Sequence, residues 1–156
     1  WANARARTLR VLEALEPEDL DWAPAPDAFS FGDLFRHLAG LERGMWAATL
    51  EGQTWPYQGH QRELAPDKAS LRAYVDRLHA ESMAVFGQLT DADMAAPCVA
   101  PTGTMATWKW LRAMAEHEAH HRGQLYLMAS LRGRSVAPLF GLTAEELAEK
   151  LRRSAT

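Results

Sequence analysis

The sequence contains a single cysteine, Cys98. No internal disulfide can form, and a cysteine-based zinc cluster is excluded. One unpaired thiol fits a reducing compartment, so a cytoplasmic location is expected. No stretch approaches the roughly 20 consecutive apolar residues that a membrane helix needs. No signal-peptide pattern is visible either, and a membrane partner is not expected. Positive charge is not in excess: 17 Lys and Arg face 20 Asp and Glu, for a formal charge of -3. Phosphate binding normally shows as a basic surplus, so no nucleic-acid partner is expected. Internal repeats and low-complexity tracts are also missing. What remains is ordinary for a globular protein: 156 residues, 47% hydrophobic and 24% charged. This length suits one domain over 1–156, able to bury a core without staples.

The apolar spacing is helical almost throughout. Leu9, Leu12 and Leu15, with Val11, predict a helix over 1–16. Pro17, Pro24 and Pro26 make 17–29 a connector. Ser30 and Asp33 form a capping signal for a helix over 31–51, ended by Gly52 and Pro56. Its expected inward stripe is Leu34, His37, Leu41, Met45 and Ala48. A polar loop over 52–65 follows. Pro66 and Asp67 open a helix over 67–89, with Leu71, Tyr74, Leu78, Ser82, Val85 and Leu89 on one side. Thr90 begins a long connector, in which "VAPTGTMAT" suits a short extended segment. The longest periodic segment is 107–132, with Trp110, Met114, His117, His121, Leu125, Met128 and Leu131 in line and Gly133 as C-cap. Thr143 and Glu146 form a capping box for a short last helix to about 153. Four substantial helices and a short fifth predict an all-α, up-and-down four-helix bundle.

Three of the six histidines lie in "AEHEAHHRGQL", residues 115–125. His117 and His121 are four apart, about 40° of rotation and roughly 6 Å of rise on an α-helix. Both rings can therefore reach one ion from a face that also carries the apolar stripe. Two unpaired imidazoles in an apolar core are costly, and a shared metal answers that cost. His37 sits on the stripe of the second helix and could supply a third ligand. Three neutral imidazoles with an open position suit zinc or nickel. His60 and His79 are expected in solvent, and His120 behind the site.

His117-Glu118-Ala119-His120-His121 also spells the H-E-x-x-H string of zinc peptidases. The class that continues with a glycine and a third histidine is excluded, because those places hold Gln124 and Leu127. A class with a downstream glutamate is not excluded by spacing, since Glu145, Glu146 and Glu149 follow. His37 is the competing upstream ligand, and no strong strand is foreseen to receive an extended peptide. Glu118 has three open roles: general base, acceptor behind the ligands, or solvated side chain. The last two suit its angle, about 80° off the His117/His121 midline, better than the first.

"FSFGDLFRHLAGLERGMW" followed by "MAEHEAHHRGQLYLMASLRG" resembles the DinB/YfiT-like superfamily, and "WANARARTLRVLEAL" resembles its opening. The resemblance spans nearly the whole chain. It implies a four-helix bundle with a three-histidine metal site, which falls here on His37, His117 and His121. It implies nickel, zinc or another divalent ion and a homodimer. It also points to thiol-dependent chemistry, of the kind carried out by bacillithiol S-transferases and mycothiol-dependent maleylpyruvate isomerases. The family name comes from a DNA-damage-inducible gene, which implies stress regulation and not DNA binding. The expected function is thus a metal-dependent transferase or hydrolase acting on a small molecule, with a low-molecular-weight thiol as cosubstrate. The alternatives are a metal-stabilised or metal-free helical bundle with a binding or stress role and the zinc peptidase. Arg36, Arg122 and Tyr126 are candidates for a pocket rim, and Trp46, Trp108 and Trp110 for its lining. Cys98 has no basic partner in sight to make it a nucleophile. Trp1, Leu127 and Leu139 lack an assigned core neighbour and are candidates for a dimer contact.

Overall fold

The computed structural model describes residues 1–53 and 57–154, so the expected helix-ending role of Pro56 lies outside the described residues. The chain is mostly helical. α1 spans Ala2–Ala14 and α2 spans Phe31–Leu41; α2 runs on through a π-helical segment, Glu42–Ala47, into α3, Ala48–Leu50. α4 spans Lys68–Phe86, α5 Asp91–Ala95, α6 Thr107–Leu131 and α7 Ala144–Ser154. The expected helices are thus present within two or three residues of their predicted ends. α1 packs on α6, and α2 packs on both α4 and α6.

Capping follows the sequence signals. Ser30 accepts from the Asp33 N–H while Asp33 accepts from the Ser30 N–H, at 3.1 and 3.0 Å. Asp67 and Ser70 do the same for α4. Gly133 ends α6 with a left-handed φ of 68°, a conformation that costs glycine little. The connector after Thr90 is more ordered than expected. Thr90 and Asp93 form a capping box for α5. Pro97–Ala100 (β1) and Gly103–Ala106 (β2) then pair as an antiparallel hairpin, with Cys98 opposite Met105. The expected extended segment, 99–107, is therefore the larger part of a hairpin and starts two residues late, because the pairing begins at Pro97.

Two apolar clusters form. One gathers Leu9, Leu12, Phe31, Leu34, Phe35, Leu38, Leu71, Val75, Leu125 and Met128 from α1, α2, α4 and α6. The other is built on Trp46, Ala100, Trp110 and Met114, with Trp1 packed against it. Trp1 is therefore a core neighbour, contrary to expectation, whereas Leu127 is 62% exposed. The inward faces also differ from the expected stripes. On the second helix Leu34 and Ala48 are buried as expected, together with Phe35, Leu38, Glu42 and Trp46, while His37, Leu41 and Met45 are half-buried. On α6 Glu118 is buried, His117 is half-buried, and Leu131 is exposed.

The reason for the shift is a polar seam in the core. Arg5 of α1 is 1% exposed and ion-pairs with Glu42 and with Glu118, the latter at 3.3 Å. Thr8 donates to the other oxygen of Glu118. His79 of α4 bonds the free oxygen of Glu42 at 2.8 Å, so His79 is not the solvated residue that was expected. Arg5 and Thr8 of α1, Glu42 of the second helix, His79 of α4 and Glu118 of α6 thus join one network. Burial pushes the Glu42 carboxyl up, but the His79 and Arg5 partners outweigh it and hold its pKa below the ordinary value.

Removing one partner of a buried ion pair typically costs about 3–5 kcal/mol, because the other charge is stranded. Arg5→Ala strands both Glu42 and Glu118. Urea unfolding is expected to show a loss in that range. A loss under about 1 kcal/mol would show that the network does not hold the helices together.

Candidate metal centre

His37 comes from α2, and His117 and His121 from successive turns of α6. Their ring centres lie 4.5 to 5.2 Å apart. One nitrogen from each ring falls within 4.8 Å of the other two, a cluster that could hold a metal ion. The three residues singled out in the sequence are therefore brought together, on the margin of the buried face and not at its centre. The network described above sets this placement. Glu118 points at α1, so its neighbours His117 and His121 are turned by helical geometry toward α2.

Hydrogen bonding identifies the facing atoms. His37 Nε2 is 3.2 Å from His117 Nε2. His121 Nδ1 is 2.6 Å from Gln124 Oε1, which only accepts, so Nδ1 carries the proton and Nε2 keeps its lone pair. His37 Nδ1 is 2.9 Å from the Tyr57 hydroxyl. The Nε2 atoms are thus the donors available to a cation. Burial is the main cause of the low basicity of these rings, with the neighbouring imidazoles adding to it. His37 and His117 are both pushed down to about 4. Burial also lowers His121, partly opposed by its Gln124 bond. All three rings are therefore neutral near pH 7, the form that binds metal. A low-basicity, three-nitrogen set fits zinc or nickel by donor type.

Other expected site residues lie elsewhere. Glu118 is 1% exposed and turned to Arg5 and Thr8, so it is neither solvated nor facing the three imidazoles. His120 is exposed, its ring 4.8 Å from that of His121. His60 is half-buried and not solvated: its ring packs on Phe29 at 4.5 Å and receives Tyr57. Arg36 is not a rim group. It is 2% exposed and donates to the carbonyls of His60 and Ala65 at 2.7 and 2.8 Å. Arg122 and Tyr126 bond the carbonyls of Ala4 and Ala137. Trp46 and Trp110 pack together at 4.0 Å in the second cluster, and Trp108 is 44% exposed.

A groove of about 440 Å³ shares Tyr57 with the cluster, although none of the three histidines lines it. Leu41, Gly44 and Met45 of the second helix line it, with Val99, Ala100 and Pro101 of the hairpin and Tyr57. No charged side chain lines it among the described residues. The residue that sequence reasoning missed is Tyr57, which belongs to both the groove and the histidine cluster. It carried no spacing signal, because a loop residue has no periodicity to read.

The depressed histidines have a consequence for acid stability. Between pH 6.5 and about 4 the unfolded chain binds protons at His37 and His117 that the native state refuses. The metal-free protein should therefore lose stability as pH falls through that window. The Glu42 contribution, fully present above the ordinary carboxylate pKa, is lost at still lower pH. Denaturation midpoints measured from pH 7.5 to 4 are expected to fall, and His37→Ala should flatten the slope. A flat profile in the unsubstituted protein would contradict the assignment.

Comparison with known proteins gives the same direction. A family model for the DinB superfamily matches residues 1–125. A DinB-like protein from Bacillus subtilis superposes with a TM-score of 0.71 at 22% identity, over 87% of this chain and 91% of that one. A DinB-like protein from Bacillus cereus gives 0.74 at 18% identity, over 88% and 91%. These likenesses concern the fold. None of the curated proteins matches the chain. The family model covers well over half of the sequence and carries both histidine-bearing helices: the chain belongs to the DinB superfamily.

Proposed function

We propose that this protein binds one divalent cation, zinc or nickel, through the Nε2 atoms of His37, His117 and His121, and uses it on a small molecule. The observation that carries this reading is the convergence of three neutral imidazoles, two of which, His121 and His37, have their other ring nitrogen against Gln124 and Tyr57. A bound cation supplies Lewis acidity and lowers the pKa of a coordinated water or thiol. The chain's own part is threefold. The α6 pair and His37 hold the donors in place, the second cluster excludes water on one side, and the uncharged groove accepts the reacting molecule. Three protein donors leave a position open, as catalytic sites require. The reaction class is thiol-dependent transfer or hydrolysis, with a low-molecular-weight thiol as cosubstrate. The four long helical segments are read as an up-and-down four-helix bundle, α7 as its short extra helix, and 1–156 as one domain.

The peptidase alternative is disfavoured by Glu118. A general base must come within hydrogen-bond reach of the proton it takes. Here both carboxylate oxygens are engaged by Thr8 and Arg5. A bundle whose metal serves only stability is the remaining alternative, and turnover separates it from the enzyme.

Purified untagged protein is expected to retain about one equivalent of zinc or nickel. Added metal at 100 times Kd should stabilise it by about 2.7 kcal/mol. His121→Ala should abolish both effects, and the exposed His120→Ala neither. Thiol conjugation to an electrophile should vanish with the metal. Equal metal content in all three proteins would remove the site from His121.

Association is proposed as a homodimer. Leu127, Leu131 and Phe140 are 62%, 62% and 76% exposed, and covering such side chains favours self-association. Light scattering should give twice the 17.4 kDa chain mass; a monomer mass at high micromolar concentration would refute it.

A further inference from the structure

We infer that Tyr57 is a positioning residue for the metal centre, through a one-directional hydrogen-bond chain from His37 to Tyr57 to His60. The inference rests on the metal reading above and adds residues to it. Once His37 Nε2 serves as a donor to a cation, the ring's proton must sit on Nδ1. The atom in reach is the Tyr57 hydroxyl oxygen, at 2.9 Å. Accepting there leaves the hydroxyl proton to be donated, and His60 Nδ1 is 3.2 Å away. Every group then uses one donor and one acceptor, with no conflict along the chain.

The surroundings hold this arrangement in place. Phe29 packs on both imidazoles, its ring centre 5.4 Å from His37 and 4.5 Å from His60. Arg36, next to His37 in the helix, is buried and binds the backbone carbonyls of His60 and Ala65. The loop that carries His60 is therefore tied to the helix that carries His37. Tyr57 also lines the groove. A single side chain thus touches both the ligand ring and the space where a small molecule would sit.

Partners behind a metal-binding histidine fix its tautomer and ring orientation, and losing one commonly costs 10–100-fold in metal affinity. Tyr57 is 48% exposed, so the low end of that range is expected. The test uses cobalt(II) as a visible probe, with chelator competition and the ligand-field spectrum as readouts. Tyr57→Phe should bind cobalt about tenfold more weakly and with an altered spectrum, while the melting temperature of the metal-free protein stays unchanged. His60→Asn keeps an acceptor near the Nδ1 place and should match the unsubstituted protein; His60→Leu should fall between it and Tyr57→Phe. In the metal-free protein, nitrogen NMR should show His37 held with its proton on Nδ1, and Tyr57→Phe should release that preference. Unchanged cobalt affinity and spectrum in Tyr57→Phe would overturn the inference while leaving the metal site standing. If the unsubstituted protein does not bind cobalt, the metal reading fails, and the NMR comparison alone decides whether Tyr57 positions His37.

Discussion

Arg5 is the residue on which the rest of the arrangement depends. Its guanidinium lies in the core with two carboxylates, one on the second helix and one on α6. A buried charge is tolerated only when it is paired and hydrogen-bonded. That requirement fixes more than the pairing itself. Glu42 must face Arg5, which sets the rotation of the second helix, and Glu118 must face Arg5, which sets the rotation of α6. His37, His117 and His121 ride on the same two helices. Their convergence follows from where the carboxylates are pinned. A hydrophobic seam would hold the helices as firmly, but apolar contacts tolerate small rotations that ion pairs with a fixed geometry resist.

The same seam explains how a peptidase-like string serves a different end. H-E-x-x-H places two histidines one turn apart on any helix. What distinguishes the uses is where the glutamate points relative to the histidine pair. In this chain the intervening glutamate points away from the pair, toward α1, and is consumed by Thr8 and Arg5. The third imidazole arrives from upstream, on α2, and with it a loop whose Tyr57 and His60 stand behind the ring. The structure thus separates the residues that hold the fold from those that face the cluster, although they alternate in sequence.

Helix positions and caps were legible in the sequence because they rest on local chemistry. Ser30 with Asp33, Asp67 at the head of α4, and Gly133 after α6 each act within a few residues of themselves. The inward faces were less legible. Apolar periodicity treats Arg5, Glu42 and Glu118 as outward residues, so it placed His37 and His117 at the centre of their stripes. They lie at the margin. The half-burial of His79 was hidden for the same reason, since apolar spacing gives no sign of its partner Glu42. The hairpin from Pro97 to Ala106 was half-read, because four-residue strands carry little alternation and their pairing is not written in either one alone.

The sequence by itself determined that the chain is helical, where its long helices begin and end, and that His117 and His121 share a helix face. Each of these is a matter of spacing along one backbone. The meeting of His37 with that pair, the turning of Glu118 to Arg5, and the placing of Tyr57 and His60 behind His37 were decided only by tertiary structure. They join residues 80, 113, 20 and 23 positions apart, and no local rule couples groups at such separations. The coupling comes from packing the helical segments around the buried Arg5 guanidinium, whose partners had to be found wherever the fold could supply them.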